Sequence, residues 1–541
     1  MCDELNRFFA TVFTREGSFE PVEGEEDGRD IPKMNDVVIT EEMVRKSIRE
    51  LKDNKAAGTD GIGSSLLKEV CDGLSVPLVL LFQKSLDSGL MPKEWKDANV
   101  TAIYKKKGKK SDPGNYRPVS LTSQVGKVCE RVIREALVEF VEKNGLIGES
   151  QHGFRKGKSC LTNLLEFLDE VMNFVDKGVP VDVVYLDFQK AFDKVPHKRL
   201  LHKLEKFGVA KGLVKWIGEW LSNRKQRVVI DGVCSEWESV WSGVPQGSVL
   251  GPILFVLFID DIDKNVASKV LKFADDTKLL GRVDGEENRR VIQEDLRKLF
   301  GWSQDWRMLF NVDKCGVMHL GYYNERKDLM LGDVVLGVLK EEKDLGVMMQ
   351  DDLKVAKQCN KAANTANRML GMIKRNFVSR GREILLPLYK SVVRPHLDYC
   401  VQAWRPHFMK DISRLEKVQR RMTKMVTGCG EMSYEERLVS LGLMTFETRM
   451  KRADMIEVYK ILSGKEKTDE SIFFERGKLG TRGHSMKLRK RGFESDVGKF
   501  SFANRVVDEW NGLSQHVVEA ESLGVFKGRL DHHLRSYGGI N

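Results

Sequence analysis

Three aspartates carry the chemistry that this sequence could perform. Asp275 and Asp276 stand side by side in "VLKFADDTKLLG", between short runs of strand-forming residues, and Asp187 closes the apolar run "VPVDVVYLDF". Adjacent carboxylates repel unless a positive charge lies beside them. An Asp-Asp hairpin tip on the surface is the commoner meaning of such a pair, because Asp is a frequent turn residue. A calcium loop fits less well, since no further carboxylates follow at alternating spacing. A carboxylate at the end of a buried strand, as Asp187 is, is costly unless it is paired or metal-bound. Two neighbouring aspartates on a hairpin and a third from an adjacent strand suit metal-assisted phosphoryl transfer, in which two divalent ions sit about 3.5 to 4 Å apart.

The elements that must position these groups follow from pattern. "VPVDVVYLDF" is apolar on both faces apart from Asp182, which predicts a strand inside a sheet. Helical segments around Leu200 and Trp216, a "RVVIDGV" hairpin, an apolar helix after Gly251 and the Asp-Asp hairpin come next. The run "VLGPILFVLFI" (Val249 to Ile259) is far shorter than the roughly 20 residues a membrane span needs and predicts a buried helix. Upstream, "TEEMVRKSIRELK" predicts a helix capped by Thr40 with Met43, Val44, Ile48 and Leu51 on one side. "ANVTAIY", "KKKGKK" and "DPGNYRP" predict a basic hairpin. Arg15 to Asp30 is acidic and Gly/Pro-containing, a solvated linker after which folding is expected to start. Beyond Gly346, long helices with basic outer faces are expected. In "RLEKVQRRMTKMV", Leu415, Val418, Met422 and Met425 form one stripe and Arg414, Lys417, Arg421 and Lys424 lie elsewhere. "ERGKLGTRGHSMKLRKRG" predicts a flexible or nucleic-acid-facing segment.

With 541 residues, 41% hydrophobic and 31% charged, the chain is globular in composition and long enough for several lobes. Its 89 basic and 79 acidic residues give +10, and the clustering of the basic ones points to a polyanionic partner. Nine cysteines are scattered with no Cys-x-x-Cys pair, which argues against a zinc knuckle or disulfide framework and for a reduced, intracellular protein. The N-terminus has no basic region followed by an apolar core and cleavage site, so secretion by that route is not expected.

An ordered series of motifs resembles the reverse transcriptase of non-LTR (LINE-type) retrotransposons of the jockey or chicken-repeat clade: "KAAGTDGIGSSLLKE", "IYKKKGKKSDPGNYRPVSL", "QHGFRKGKSCLTNLL", "VYLDFQKAFDKVPH", "SGVPQGSVLGPILFVLFIDDI", "KFADDTKLLG", "NVDKCGVMHLG" and "DLGVMM". The resemblance covers nearly the whole chain. It implies an α+β right-hand polymerase, with fingers, a palm built on an antiparallel sheet and a helical thumb, followed by a mostly helical basic extension. The corresponding divisions are 1–35 as a partly disordered linker remnant, 36–345 as fingers and palm, 346–430 as thumb and 431–541 as a basic C-terminal domain. By the same resemblance Asp187, the Phe188 carbonyl, Asp275 and Asp276 would hold two magnesium ions, with manganese as a substitute. Phe192 resembles the aromatic gate that collides with a ribose 2′-hydroxyl, Arg117 the arginine that grips the triphosphate, and Gln246 the residue facing nucleotide and template. Lys314 resembles the lysine that protonates departing pyrophosphate. Lys105, Lys106, Phe154, Arg155 and Lys158 suit template or phosphate contacts, and Gly346 lies in the segment resembling the primer grip.

The partners implied are an RNA template, a DNA or RNA primer and deoxynucleoside triphosphates. A ribonucleoprotein with the element's own RNA, nuclear or cytoplasmic and free of membrane, is also implied. Members of this clade carry an apurinic-type endonuclease ahead of "NRFFATVF", so nicking is expected to come from elsewhere. Phe273 stands where many polymerases have Tyr, a change common in LINE-type enzymes. A catalytically silent nucleic-acid-binding relic is the alternative from another class, but all three aspartates are in place. A group II intron maturase is disfavoured by "GTDGI" and by "FADDT".

Overall fold

The apolar run that leads to Asp187 is a strand, Val181–Leu186, buried at all six positions in the computed structural model. The structure describes residues 1–17, 19, 31–53, 55–477 and 483–537. The chain divides into two compact units that alternate along the sequence. The first is Met1–Phe154, Leu186–Val266 and Asp295–Lys314; the second is Arg155–Tyr185, Ala267–Glu294 and Cys315–Asn541. Helix and sheet are mixed in both, in keeping with the α+β expectation.

In the first unit, β1 (Ala98–Tyr104) and β2 (Tyr116–Leu121) pair antiparallel from Asn99↔Leu121 to Tyr104↔Tyr116, the basic hairpin expected from sequence. With Val181–Leu186 counted as β3, the next strand, β4 (Arg224–Ile230), runs parallel to β1. The short strands β5 (Val233–Cys234) and β6 (Glu238–Val240) both pair with β4. Thr40 caps the helix Glu41–Arg49 by accepting from the Met43 amide, and Val44 and Ile48 are buried beneath it. Gly251–Phe258 is the apolar helix foreseen after Val249, and its side chains from Ile253 to Phe258 are buried.

The second unit is built on a five-stranded sheet. Its members besides β3 are β7 (Lys269–Phe273), β8 (Asp276–Arg282) and β9 (Gly316–Leu320); β10 (Met330–Leu331) and β11 (Val334–Val335) form a separate hairpin, and β12 (Gly337–Val338) completes the order β12-β9-β3-β8-β7. Asp182, the polar exception in β3, lies opposite His319 of β9. His319 Nδ1 donates to its carboxylate at 2.7 Å and Asn324 Nδ2 donates at 2.8 Å, so the buried charge is satisfied inside the sheet. A further hairpin joins β13 (Glu341–Asp344) to β14 (Val347–Gln350). In the helix Met409–Lys424, Leu415, Val418 and Met422 are fully buried while Arg414, Lys417, Arg421 and Lys424 face solvent. A single core cluster runs from Leu164 through Leu271 and Met318 to Trp510 and Phe526, with no break at residue 430.

One expectation needs correction. Folding does not begin after residue 30: Cys2–Thr11 is a helix, and its Leu5 and Phe9 share a buried cluster with Val100 of β1 and Val228 of β4. The i, i+4 spacing of those two apolar residues gives the helix a face that the sheet covers. Residues 20–30, the heart of the acidic stretch, lie outside the described residues. The basic C-terminal segment carries ion pairs, two of them exposed at the surface. Its Arg476, Lys490 and Arg491 are paired with Glu470, Asp508 and Asp169, and residues 478–482 lie outside the described residues. No helix among the described residues is long and apolar enough to cross a membrane.

Candidate active site

Asp187 is the first residue after β3. Its carbonyl accepts from the Asn311 amide at 2.7 Å, and the Gln189 amide donates to the Leu309 carbonyl at 2.9 Å. These two bonds flank an isolated antiparallel bridge between Phe188 and Phe310. In that pattern the residue between the bonds turns its own N–H and C=O to the opposite side, so the Phe188 carbonyl faces away from the Phe310 segment. The two rings stack with centroids 4.6 Å apart, which fixes the turn. The short helical turn Val312–Lys314 follows, and Lys314 Nζ donates to the Asp187 carboxylate at 2.6 Å.

Lys314 belongs to a group of cations in the first unit. Burial, then the neighbouring charges of Lys190, Lys314 and Arg117, hold the Lys105 ammonium below the usual lysine range. Lys105 Nζ donates to the Gly114 carbonyl at 2.9 Å, which anchors it at the end of the β1–β2 hairpin. Arg117 projects exposed from β2, opposite Ile103. Lys106 lies beside them with a positive φ of 58°, its side chain in solvent. Like charges drawn together this way favour the arrival of a polyanion.

Phe192 stacks on the buried Phe255 with centroids 4.5 Å apart, half-covered and half-open. Its carbonyl accepts from the Val244 amide at 2.8 Å. Gln246 Nε2 donates to Asp193 at 2.9 Å. Burial pushes the Asp193 carboxyl above its usual range, while Gln246, Lys190 and Lys105 pull it back. Gly247 has a φ of +116°, and a Cβ there would lie 2.6 Å from the Ser120 carbonyl. The close approach that the "VPQG" glycine permits is therefore to β2 of the same unit.

In the second unit, Ala274 and Asp275 form the two-residue turn between β7 and β8, with Phe273 paired to Asp276. Ala274 has a φ of +54°, a strain that glycine would avoid. Asp275 is half-buried and Asp276 exposed. The Val283 amide, just past β8, donates to the Pro180 carbonyl, just before β3, at 3.0 Å. The two neighbouring strands thus run oppositely, and the Asp275–Asp276 turn falls at the end of the sheet toward which β3 runs. Two residues along β8, Lys278 Nζ donates to Asp344 of β13 at 2.5 Å, both groups buried. Gly346 shares the β13–β14 turn with Leu345, both at positive φ, and its carbonyl accepts from Lys361 at 3.1 Å. Phe154, 47% exposed, offers a ring to solvent, whereas Arg155 begins the second unit and Lys158 is buried before the cap of the helix Cys160–Asp176.

Within the first unit Asp187 pairs with Lys314, and Lys314, Lys190 and Arg117 each act electrostatically on Lys105. Lys190 and Asp193 were missed from sequence; both lie in the quoted "LDFQKAFDKV", where a cation three residues past Asp187 was the available signal. Among the described residues no three or more His, Cys, Asp or Glu side chains are gathered into a metal-holding group. The Asp187 carboxylate nevertheless carries a cation, the Lys314 ammonium, and a carboxylate with a main-chain carbonyl turned away from the Phe310 segment is an all-oxygen donor set of the kind hard divalent ions take.

Residues 104–372 match the family described as "Reverse transcriptase (RNA-dependent DNA polymerase)", so the chain carries a reverse transcriptase domain. It is 27% identical over 408 residues to a probable RNA-directed DNA polymerase from transposon X-element of Drosophila melanogaster, 72% of this chain and 44% of that protein. It is 26% identical over 405 residues to the RNA-directed DNA polymerase from mobile element jockey of Drosophila funebris, with the same two coverages. A Pol polyprotein from type-1 retrotransposable element R1 of Bradysia coprophila is 23% identical over 520 residues, 91% of this chain and 48% of that protein. The chain spans less than half the length of these relatives. Reverse transcriptases as a family use divalent metal ions.

Proposed function

We propose that this protein is an RNA-directed DNA polymerase of a non-LTR retrotransposon, extending a DNA or RNA primer with deoxynucleotides on an RNA template. The observation that carries the reading is the cation group Lys105, Arg117, Lys190 and Lys314 assembled beside Asp187. A triphosphate is the polyanion that such a group suits, and Asp187 is the carboxylate that such a reaction needs nearby. Asp187, Asp275 and Asp276 with the Phe188 carbonyl are the proposed ligands of two magnesium ions. Bound there, the ions would activate the primer 3′-hydroxyl and offset the charge of departing pyrophosphate.

The remaining work falls to the chain. Arg117 grips phosphate oxygens with a planar, bidentate guanidinium. Lys314, released from Asp187, gives a proton to the leaving pyrophosphate. Phe192 presents a ring backed by Phe255 to the sugar and rejects a 2′-hydroxyl by collision. In the right-hand arrangement proposed for this chain, the sheet β12-β9-β3-β8-β7 is the palm, the β1–β2 hairpin belongs to the fingers, the β13–β14 hairpin is the primer grip, and the helices from residue 356 onward form the thumb. Purified protein with magnesium and a primed RNA template should incorporate labelled deoxynucleotide, and Asp275→Asn with Asp276→Asn should abolish incorporation. Undiminished synthesis by the double variant would overturn the assignment, and an inert wild type that still binds the duplex would favour a nucleic-acid-binding relic.

A further inference from the structure

The N-terminal segment is fastened to the part of the first unit that carries Phe192. The strip Ser242–Gly243–Val244 clamps the Phe192–Asp193 main chain: the Val244 amide donates to the Phe192 carbonyl at 2.8 Å, and Ser242 Oγ donates to the Asp193 carbonyl at 2.7 Å. Gly243 is required there, since a Cβ would lie 2.6 Å from both carbonyls. The Thr14 amide donates to the same Ser242 hydroxyl at 2.8 Å, so the chain from Thr14 to Asp193 is one continuous set of hydrogen bonds. Phe9 and Phe13 line one cavity together with Phe192, Asp193 and Gln246. Next to Phe9 on the same helix, the Phe8 ring lies 5.6 Å from Lys190 Nζ, a cation–π contact that steadies one member of the cation group.

The anchor of this segment is independent of the cavity. The Asp3 carboxylate accepts from the Glu236 amide at 3.0 Å, Asn6 Nδ2 donates to the Glu236 carbonyl at 2.8 Å, and Glu16 pairs with Arg199 at 2.7 Å with both side chains nearly buried. The segment is thus held at both ends, with Phe8, Phe9, Phe13 and Thr14 between the anchors.

From this juxtaposition we infer that residues 8–14 are a positioning layer of the nucleotide site, stiffening Phe192 against a ribose 2′-hydroxyl and holding Lys190 toward the triphosphate. The inference rests on the reading of the chain as a deoxynucleotide polymerase. An aromatic ring rejects an extra hydroxyl by collision only as far as it cannot recoil, and what prevents recoil is the packing and main-chain clamp behind it. The Thr14–Ser242 bond supplies that resistance through the main-chain clamp, Phe13 bounds the space beside Phe192 into which the ring could recoil, and Phe8 acts on phosphate binding through Lys190.

The test uses the full chain with Phe8→Ala, Phe13→Ala and Ser242→Ala, each checked for a wild-type melting transition, in single-nucleotide addition with deoxy- and ribonucleoside triphosphates. Phe13→Ala should lower the deoxy-to-ribo preference in kcat/KM by roughly tenfold, and Phe13→Leu, which refills the space, should restore most of it. Ser242→Ala should lower the preference in the same direction. Phe8→Ala should raise KM for both nucleotide classes about three- to fivefold at unchanged kcat. Folded variants that keep the wild-type preference and KM would overturn the inference while leaving the polymerase reading intact. A wild type that adds no nucleotide would overturn both.

Discussion

Lys105 holds a charge that its surroundings oppose, and that has a consequence in pH. Its ammonium is held below the ordinary lysine value of 10.5 by burial and by Lys190, Lys314 and Arg117. The cation is the form that binds phosphate, and it is lost as pH rises through the lowered value. KM for deoxynucleotide should therefore climb on the alkaline side at a lower pH than an ordinary lysine would dictate. Lys105→Arg, which stays charged, should flatten that limb; superimposable KM profiles for the two proteins would exclude Lys105 from triphosphate binding. Lys314 separates charge from proton supply in a similar way. Lys314→Ala should lower kcat by roughly 100-fold, the lower end of what a general acid contributes. Lys314→Arg should restore the ion pair with Asp187 and the nucleotide KM but leave kcat low, because a guanidinium does not give up its proton. Recovery of kcat by arginine would reduce Lys314 to an electrostatic role.

Between residue and molecule, the pair Lys278–Asp344 joins β8, the strand that starts at Asp276, to the β13–β14 hairpin. Both side chains are buried, and the Lys278 ammonium also lies 4.4 Å from the Phe167 ring. Burial pulls its pKa down and Asp344 pulls it back up. Asp344→Asn leaves that ammonium buried without its counter-charge and should cost about 3–5 kcal/mol in urea unfolding. Lys278→Met combined with Asp344→Leu should recover most of the loss, because an apolar pair of similar volume carries no desolvation penalty. A single variant as stable as wild type would mean that the hairpin is not held through this pair. Neither partner was singled out from sequence, and the reason is physical. Elements whose burial writes a local pattern were legible: β3 as an unbroken apolar run, the helix Gly251–Phe258, the Thr40 cap, the β1–β2 and β7–β8 hairpins. Pairings between distant segments leave no local trace, as with Asp182 and His319, 137 residues apart, or Lys278 and Asp344, 66 apart. The N-terminal helix was overlooked for a related reason. It precedes an acidic stretch, and its apolar face has meaning only once β1 and β4 are in place to cover it. Asp187, Asp275, Asp276, Arg117 and Lys314 stood out because type and motif coincide in them, whereas Lys190 and Asp193 needed the cation group and the clamp to be seen.

For the molecule as a whole, the question is whether residues 431–541 can be separated from the rest of the second unit. They supply Phe473, Trp510 and Phe526 to the same core that holds Leu164, Leu271 and Met318. They are also tied to the helix Cys160–Asp176, which lies just before β3. The Asp176 carboxylate accepts from the Glu494 amide at 3.0 Å, and from the Ser495 amide and hydroxyl at 2.7 and 2.6 Å. Gly498 is packed so closely that a Cβ would fall 2.3 Å from the carboxylate carbon. Burial opposes the Asp176 charge, but these hydrogen bonds outweigh it and hold its pKa below the usual carboxylate value of 3.8. A carboxylate depressed in the folded state stabilises above its unfolded pKa, and that contribution is lost as pH falls through the folded value. A chain ending at residue 430 would expose one side of a shared core, so its second unit should lose its cooperative thermal transition while the first unit retains secondary structure by circular dichroism. In the full chain, Asp176→Asn should lower the melting temperature at neutral pH and leave it less sensitive to acid below about pH 4, since the group whose protonation weakens the wild type is already gone. If instead the 1–430 chain melted cooperatively at the wild-type temperature and still extended primers, residues 431–541 would be the separable basic domain that the family resemblance implied.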